Sequence, residues 1–223
     1  MKKSKSGKIG INCKIHPTAV IGDNVTIGDN CYIGAYCVIG GDMMIDNENV
    51  ISGIVEIGNN NLISNAVIIL SPWRNTITRI GDNNSIYSQN FIGHDVIIND
   101  HIIMTSGCRI AGVCFIDSYV YLGMGTVLKN RVSIGEGVRT GCGTIITNDI
   151  LPYSLICNKN GNRILRYNEK GNERKQYDYN VDAEAQQMFK YILKHDKYKT
   201  DNPILKKIQE FKENHSNCLL KWK

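Results

Sequence analysis

His94 and Asp95 are the first residues in this sequence that suggest chemistry. An imidazole titrates near neutral pH, so a positioned histidine can take a proton from an attacking hydroxyl or amine. Asp95 is placed to orient that ring, although its neighbouring position could equally face elsewhere. The other histidines fit the role less well. His16 stands beside Pro17 and reads as structural, and His195 and His215 lie in the polar C-terminal stretch. His101 is seven residues beyond His94, so it belongs to a following segment and could act only across a contact between chains.

The positioning element is a repeat. Stepping by six from Ile9 meets Ile15, Ile21, Ile27, Ile33, Ile39, Ile45, Ile51, Ile57, Ile63 and Ile69. The phase then jumps by five residues and resumes at Ile80, Ile86, Ile92, Ile98, Met104, Ile110, Ile116, Leu122, Leu128 and Ile134. Thr140 breaks the apolar rule and Ile146 restores it. Glycine often follows the leading residue, and a small or β-branched side chain stands four places after it. A period of six suits neither a single helix nor a simple alternating strand. It suits a parallel β-helix in which each hexad is one short strand and a corner, with the leading side chains stacked inside. The architecture expected is therefore all-β.

Hexad arithmetic also groups the polar residues. With three hexads per coil, which the family resemblance given below implies, the position of His94 becomes Gly112 one coil on, Asn130 a further coil on, and Ser71 one coil back. Ser71 opens the inserted stretch 71–79, which carries Trp73, Arg74 and Arg79. This stretch, expected as the prism's only excursion, should therefore emerge on the His94 edge as a substrate wall. Ser71, Trp73, Arg74, Arg79, Lys129 and Asn130 are the candidate substrate-binding residues.

The pattern Ile-Gly-x-x-Val-x, as in residues 21–26, resembles the hexapeptide-repeat acyltransferases. Four further runs resemble one branch of that superfamily: 15–22 (IHPTAVIG), 92–95 (IGHD), 109–112 (RIAG) and 151–154 (LPYS). That branch holds the UDP-N-acetylglucosamine acyltransferases of lipid A synthesis and relatives that N-acylate amino-sugar nucleotides. The resemblance implies a left-handed prism with three hexads per coil, working as a homotrimer with sites between neighbouring prisms. It implies His94 as general base and the backbone N–H of Gly112 as oxyanion donor. Asn130 stands where the lipid A enzyme has Gln. The route from the inserted stretch to His94 is shorter here by about a coil, and Asn158–Gly161 replaces the usual closing turn.

The leading functional expectation is transfer of an acyl group, chiefly acetyl from acetyl-CoA, to the amine of a nucleotide-linked sugar in surface-polysaccharide synthesis. The second is transfer of a hydroxyacyl chain from acyl carrier protein (acyl-ACP) to a sugar hydroxyl. Neither calls for a metal. A zinc carbonic anhydrase on the same prism needs a histidine pair five apart, unlike His94 and His101. An ice-binding or scaffold prism would show a regular Thr face without the 71–79 insertion.

Composition excludes other classes. A net charge of +5 is too mild for a dedicated nucleic-acid binder, and no apolar run reaches membrane-span length. The basic start is not followed by a signal-type apolar run, so a cytoplasmic location is expected. The eight cysteines form no zinc-type pairs, and Cys13, Cys31, Cys37, Cys108 and Cys114 share one repeat position as small hydrophobes. Residues 1–153 are expected as the catalytic prism, and 154–223 as an extended connector and a helical tail. In that tail Ala185, Met188, Phe189 and Ile192 suggest one helix, and Ile204, Ile208 and Phe211 a second beginning near Pro203. Lys190, Lys194, Lys197, Lys199, Lys206 and Lys207 read as a solvated face, with an anionic donor as the alternative partner.

Overall fold

A computed structural model describes residues 7–41, 53–73, 77–159, 162–168 and 203–215. Each hexad contributes one strand, mostly of two residues, and every third strand pairs in parallel, giving three sheets of nine, seven and six strands. They close into a left-handed parallel β-helix. The leading side chains from Ile27 onward point inward: Ile33, Ile63, Ile69, Ile86, Ile92, Ile98, Ile110 and Ile116 are fully buried. The first coil frays, with Ile9 55% exposed, because nothing among the described residues covers it from below.

Thr140 keeps its inward position. Its hydroxyl accepts from Gly123 N–H (2.8 Å) and lies 2.7 Å from the Thr126 hydroxyl, so the core stays satisfied without an apolar group there. The corner position that follows each strand explains much of the Asn and Asp. Along one prism edge the side chains of Asp29, Asn59, Asp82 and Asp100 accept the backbone N–H of Ile11, Asp29, Asn59 and Asp82, each one coil back. The shared cysteines are buried or partly buried free thiols, and their S–H groups donate to corner carbonyls, as Cys37 does to Ser64 O (2.9 Å) and Cys114 to Lys129 O (3.2 Å).

Register corrects one expectation. Ile15 pairs with Ile33 at the expected spacing of three hexads, but Ile27 pairs with Ile57 and Ile33 with Ile63, which is two hexads more. The described strands thus step over twelve residues between Gly41 and Ile54, and Ile45 and Ile51, expected as leading residues, lie outside the described residues. The prism has a second excursion besides the one after Ser71. A twelve-residue excursion leaves a six-residue phase unchanged, so the repeat runs through it without a visible break.

Strand Ser154–Lys159 pairs in parallel with Arg139–Thr140 and in antiparallel fashion with Asn162–Tyr167. The prism sheet thus continues past the boundary expected at residue 153, because Ile156 takes up an interior position there. Helix Pro203–Asn214 opens on its proline, as expected, and buries Ile208 and Phe211. The helix expected near 181–195 lies outside the described residues. Among the described residues no helix is long and apolar enough to cross a membrane.

Candidate active site

The candidate site lies on the corner between the seven- and six-strand sheets. Strand Phe91–Ile92 pairs with Ile68–Leu70 on one side and Arg109–Ile110 on the other, which stacks Ser71, His94 and Gly112 on one edge. The excursion after Ser71 does emerge there. Gly41 pairs with Leu70, so the twelve-residue excursion leaves the same edge one coil earlier. Asn24, lower on that edge, ties both roots together: its side-chain amide donates to Gly53 O (2.9 Å) and to Ser71 Oγ (3.0 Å).

His94 is 8% exposed and Asp95 3%. The Asp95 carboxylate accepts from His94 Nδ1 (2.7 Å) through one oxygen and from the Trp73 backbone N–H (3.2 Å) through the other. A carboxylate at Nδ1 selects the tautomer that carries its proton there and leaves Nε2 open as a base. Asp95 therefore does face the imidazole. Its backbone makes this possible: φ is +58°, a left-handed turn that Asp tolerates better than most residues. The Trp73 ring stands edge-on to the imidazole with centroids 5.3 Å apart.

The imidazole lies over Gly112, where an added Cβ would come within 2.2 Å of Nε2. A side-chain-free residue is what lets the ring occupy this place. On the Asp29–Asp100 edge each equivalent N–H is capped by a side chain of the next coil, as Asn59 caps Asp29. Gly112 N–H donates to no acceptor among the described residues.

The remaining candidates are more dispersed. Ser71 is buried and spends its hydroxyl on Asn24, which makes it a root of the loop wall. Lys129 and Asn130 are exposed on the corner one coil past Gly112, where Arg131 N–H donates to Gly112 O (3.1 Å). Arg79 lies within strand Ile77–Ile80, paired with Glu56 at 3.1 Å on the sheet face, because the chain has already re-entered the prism at Ile77. Arg74 lies outside the described residues. His16 bonds Thr18 locally (2.9 Å), and His101 stacks on Tyr119 along the next edge. Among the described residues no three His, Cys, Asp or Glu side chains converge as a metal site.

Sequence reasoning overlooked Thr78. Val25, Val55, Thr78, Val96, Cys114 and Val132 form one interior column, all buried, and Thr78 is its only oxygen-bearing side chain. Its hydroxyl accepts the backbone N–H of Asp95 (2.9 Å). A lone hydroxyl in an apolar column was a signal available in the sequence.

Comparison with known proteins agrees with the fold. Residues 6–41 match the family model described as bacterial transferase hexapeptide (six repeats). The acyl-[acyl-carrier-protein]–UDP-N-acetylglucosamine O-acyltransferase of Nautilia profundicola is 32% identical over 109 residues, 48% of this chain and 41% of its own length. The protein of the same name from Aliarcobacter butzleri is 27% identical over 66% of this chain and 54% of its own. The chain thus spans about half, or less, of these relatives. The UDP-N-acetylglucosamine acyltransferase structure from Bacteroides fragilis superposes with a TM-score of 0.82 at 21% identity, over 97% of this chain and 96% of its own. That from Campylobacter jejuni gives 0.81 at 24%, over 99% and 90%. The resemblance read from the hexads therefore holds: the chain is built on the hexapeptide repeat and shares the left-handed prism of the UDP-N-acetylglucosamine acyltransferases.

Proposed function

We propose that this chain is an acyltransferase that moves an acyl group from a thioester to a UDP-linked amino sugar, with His94 as general base. The observation that carries the reading is the buried Asp95–His94 pair set over Gly112. Nε2 takes the proton of the attacking sugar hydroxyl. The carbonyl oxygen gains charge in the tetrahedral intermediate and is met by the unspent Gly112 N–H. Collapse expels the thiolate, which takes the proton back from the imidazolium. No covalent enzyme intermediate is needed.

On sequence alone, acetyl transfer from acetyl-CoA to an amine ranks above hydroxyacyl transfer from acyl carrier protein to a hydroxyl. The relatives reverse that order, since the activity they are named for is O-acylation of UDP-N-acetylglucosamine from acyl carrier protein. The acyl-carrier donor and the hydroxyl acceptor are therefore preferred.

A homotrimer is part of the proposal. Val20, Val38, Ile68, Phe91, Val127 and Ile145 run down the outer face of the seven-strand sheet, interrupted by Arg109. Val20 is 62% exposed and Ile145 53%. Such an apolar stripe favours cover by another copy, and a copy seated there would border the His94 edge.

The test is mass spectrometry of products from purified protein given hydroxyacyl carrier protein or acetyl-CoA with UDP-linked sugars. One acyl mass gain is expected, reduced on the order of 100-fold or more in His94→Ala. Near-normal turnover in that variant removes His94 from the base role.

A further inference from the structure

We infer that Thr78 is a positioning residue for the His94 base, acting through Asp95. In the coils above, the N–H at this corner position donates to a backbone carbonyl one coil back: Val113 to His94 O (2.9 Å) and Arg131 to Gly112 O (3.1 Å). For Asp95 the matching carbonyl is that of Ser71. The chain leaves the coil at Ser71 to form the excursion, and the Asp95 N–H is instead taken by Thr78 Oγ1 (2.9 Å). A backbone group as buried as this needs an acceptor, and Thr78 supplies it just where the chain re-enters the prism. The left-handed turn itself recurs at this corner position, as at Val113 and Arg131; the Thr78 bond replaces the coil-to-coil tie that anchors it at Asp95, where the turn aims the carboxylate at His94 Nδ1. The excursion that walls the site would otherwise remove the support of its base, and one interior hydroxyl restores it.

The catalytic consequence rests on the acyltransfer reading, but the geometric claim does not. The test uses the full chain with 15N-labelled histidine rings, the His94 signals being assigned by their loss in His94→Ala. The wild-type protein and Thr78→Ser are expected to show a single Nδ1–H tautomer with a protected proton resonance. Thr78→Val should keep the fold, since valine occupies four of the five other positions in the column. It should show mixed tautomers and lose the protected proton. In turnover it should lower kcat about tenfold with the acceptor KM unchanged, and Thr78→Ser should restore kcat. A Thr78→Val protein that keeps one protected Nδ1–H tautomer, or full kcat despite a mixed tautomer, overturns the inference. A wild-type protein that turns over no thioester, yet shows the tautomer change in Thr78→Val, overturns the acyltransfer reading and leaves the assignment of Thr78 standing.

Discussion

Replacing Gly112 with alanine sets the geometry of the site against the stability of the fold. The new Cβ would lie 2.2 Å from His94 Nε2, 2.4 Å from Cε1 and 2.7 Å from Cδ2, where ordinary contact begins at 3.4 Å. The ring must retreat by about 1.2 Å, the difference between 2.2 and 3.4 Å. The clash is with the Nε2 side of the ring, away from Nδ1, so the retreat runs across the 2.7 Å bond to Asp95 and its main effect is to carry Nε2 off the place where it must meet the attacking group. The three nearest atoms all belong to the imidazole, so the ring takes the closest clash. Misplacing a catalytic group by about 1 Å costs on the order of 100-fold in rate, or ~2.7 kcal/mol of barrier. The expected result is kcat about 100-fold lower with little change in melting temperature. Steady-state turnover with a thioester donor and differential scanning calorimetry give both numbers. A double-mutant cycle isolates the cause: in a His94→Ala background, where no ring remains to be displaced, Gly112→Ala should cost almost nothing further. Turnover within about threefold of wild type, or an equal loss in the His94→Ala background, would refute the claim that Gly112 serves the imidazole.

Two further outcomes follow from neighbouring contacts. Trp73→Ala removes the ring that stands against the imidazole but keeps the backbone N–H on Asp95; an edge contact of ~0.5–1.5 kcal/mol predicts a fall in kcat/KM of up to about tenfold, carried by the acceptor KM. Burial raises the thiols of Cys31, Cys37 and Cys108, and pushes Cys114 up to about 11 from an ordinary value of 9.0. The folded state then holds protons that the unfolded chain releases, so the stability tied to the neutral thiols is complete below pH 9.0 and is lost as pH rises toward 11. For Cys114 the loss is ~2–3 kcal/mol, and Cys114→Val should flatten the fall in the urea midpoint between pH 8.5 and about 10.5.

What the sequence disclosed depended on arithmetic modulo six. The break of five residues between Ile69 and Ile80 shifts the phase, so the excursion after Ser71 could be placed on the His94 edge from the sequence alone, and Trp73 does meet the imidazole there. The twelve residues between Gly41 and Ile54 keep the phase. Ile45 and Ile51 even fall on the leading position, so periodicity runs on where the strand register steps over two hexads. The same limit explains the neighbours of His94. Hexad phase assigns each residue to an edge and a coil, which was enough to stack His94 on Gly112. The left-handed turn recurs three residues after the leading side chain, as at Asn83, Val113 and Arg131, but phase does not aim a side chain, so the reach of the Asp95 carboxylate to Nδ1 was not legible. Nor does it show where a hydrogen bond must be replaced, and Thr78 passed as one more small β-branched residue in an apolar column. Both excursions leave one edge on successive coils, and Asn24 joins their roots beneath His94. A repeat tolerates such insertions at a corner because the strands on either side still pair in register. The edge can therefore gain loop without disturbing the stack that holds His94.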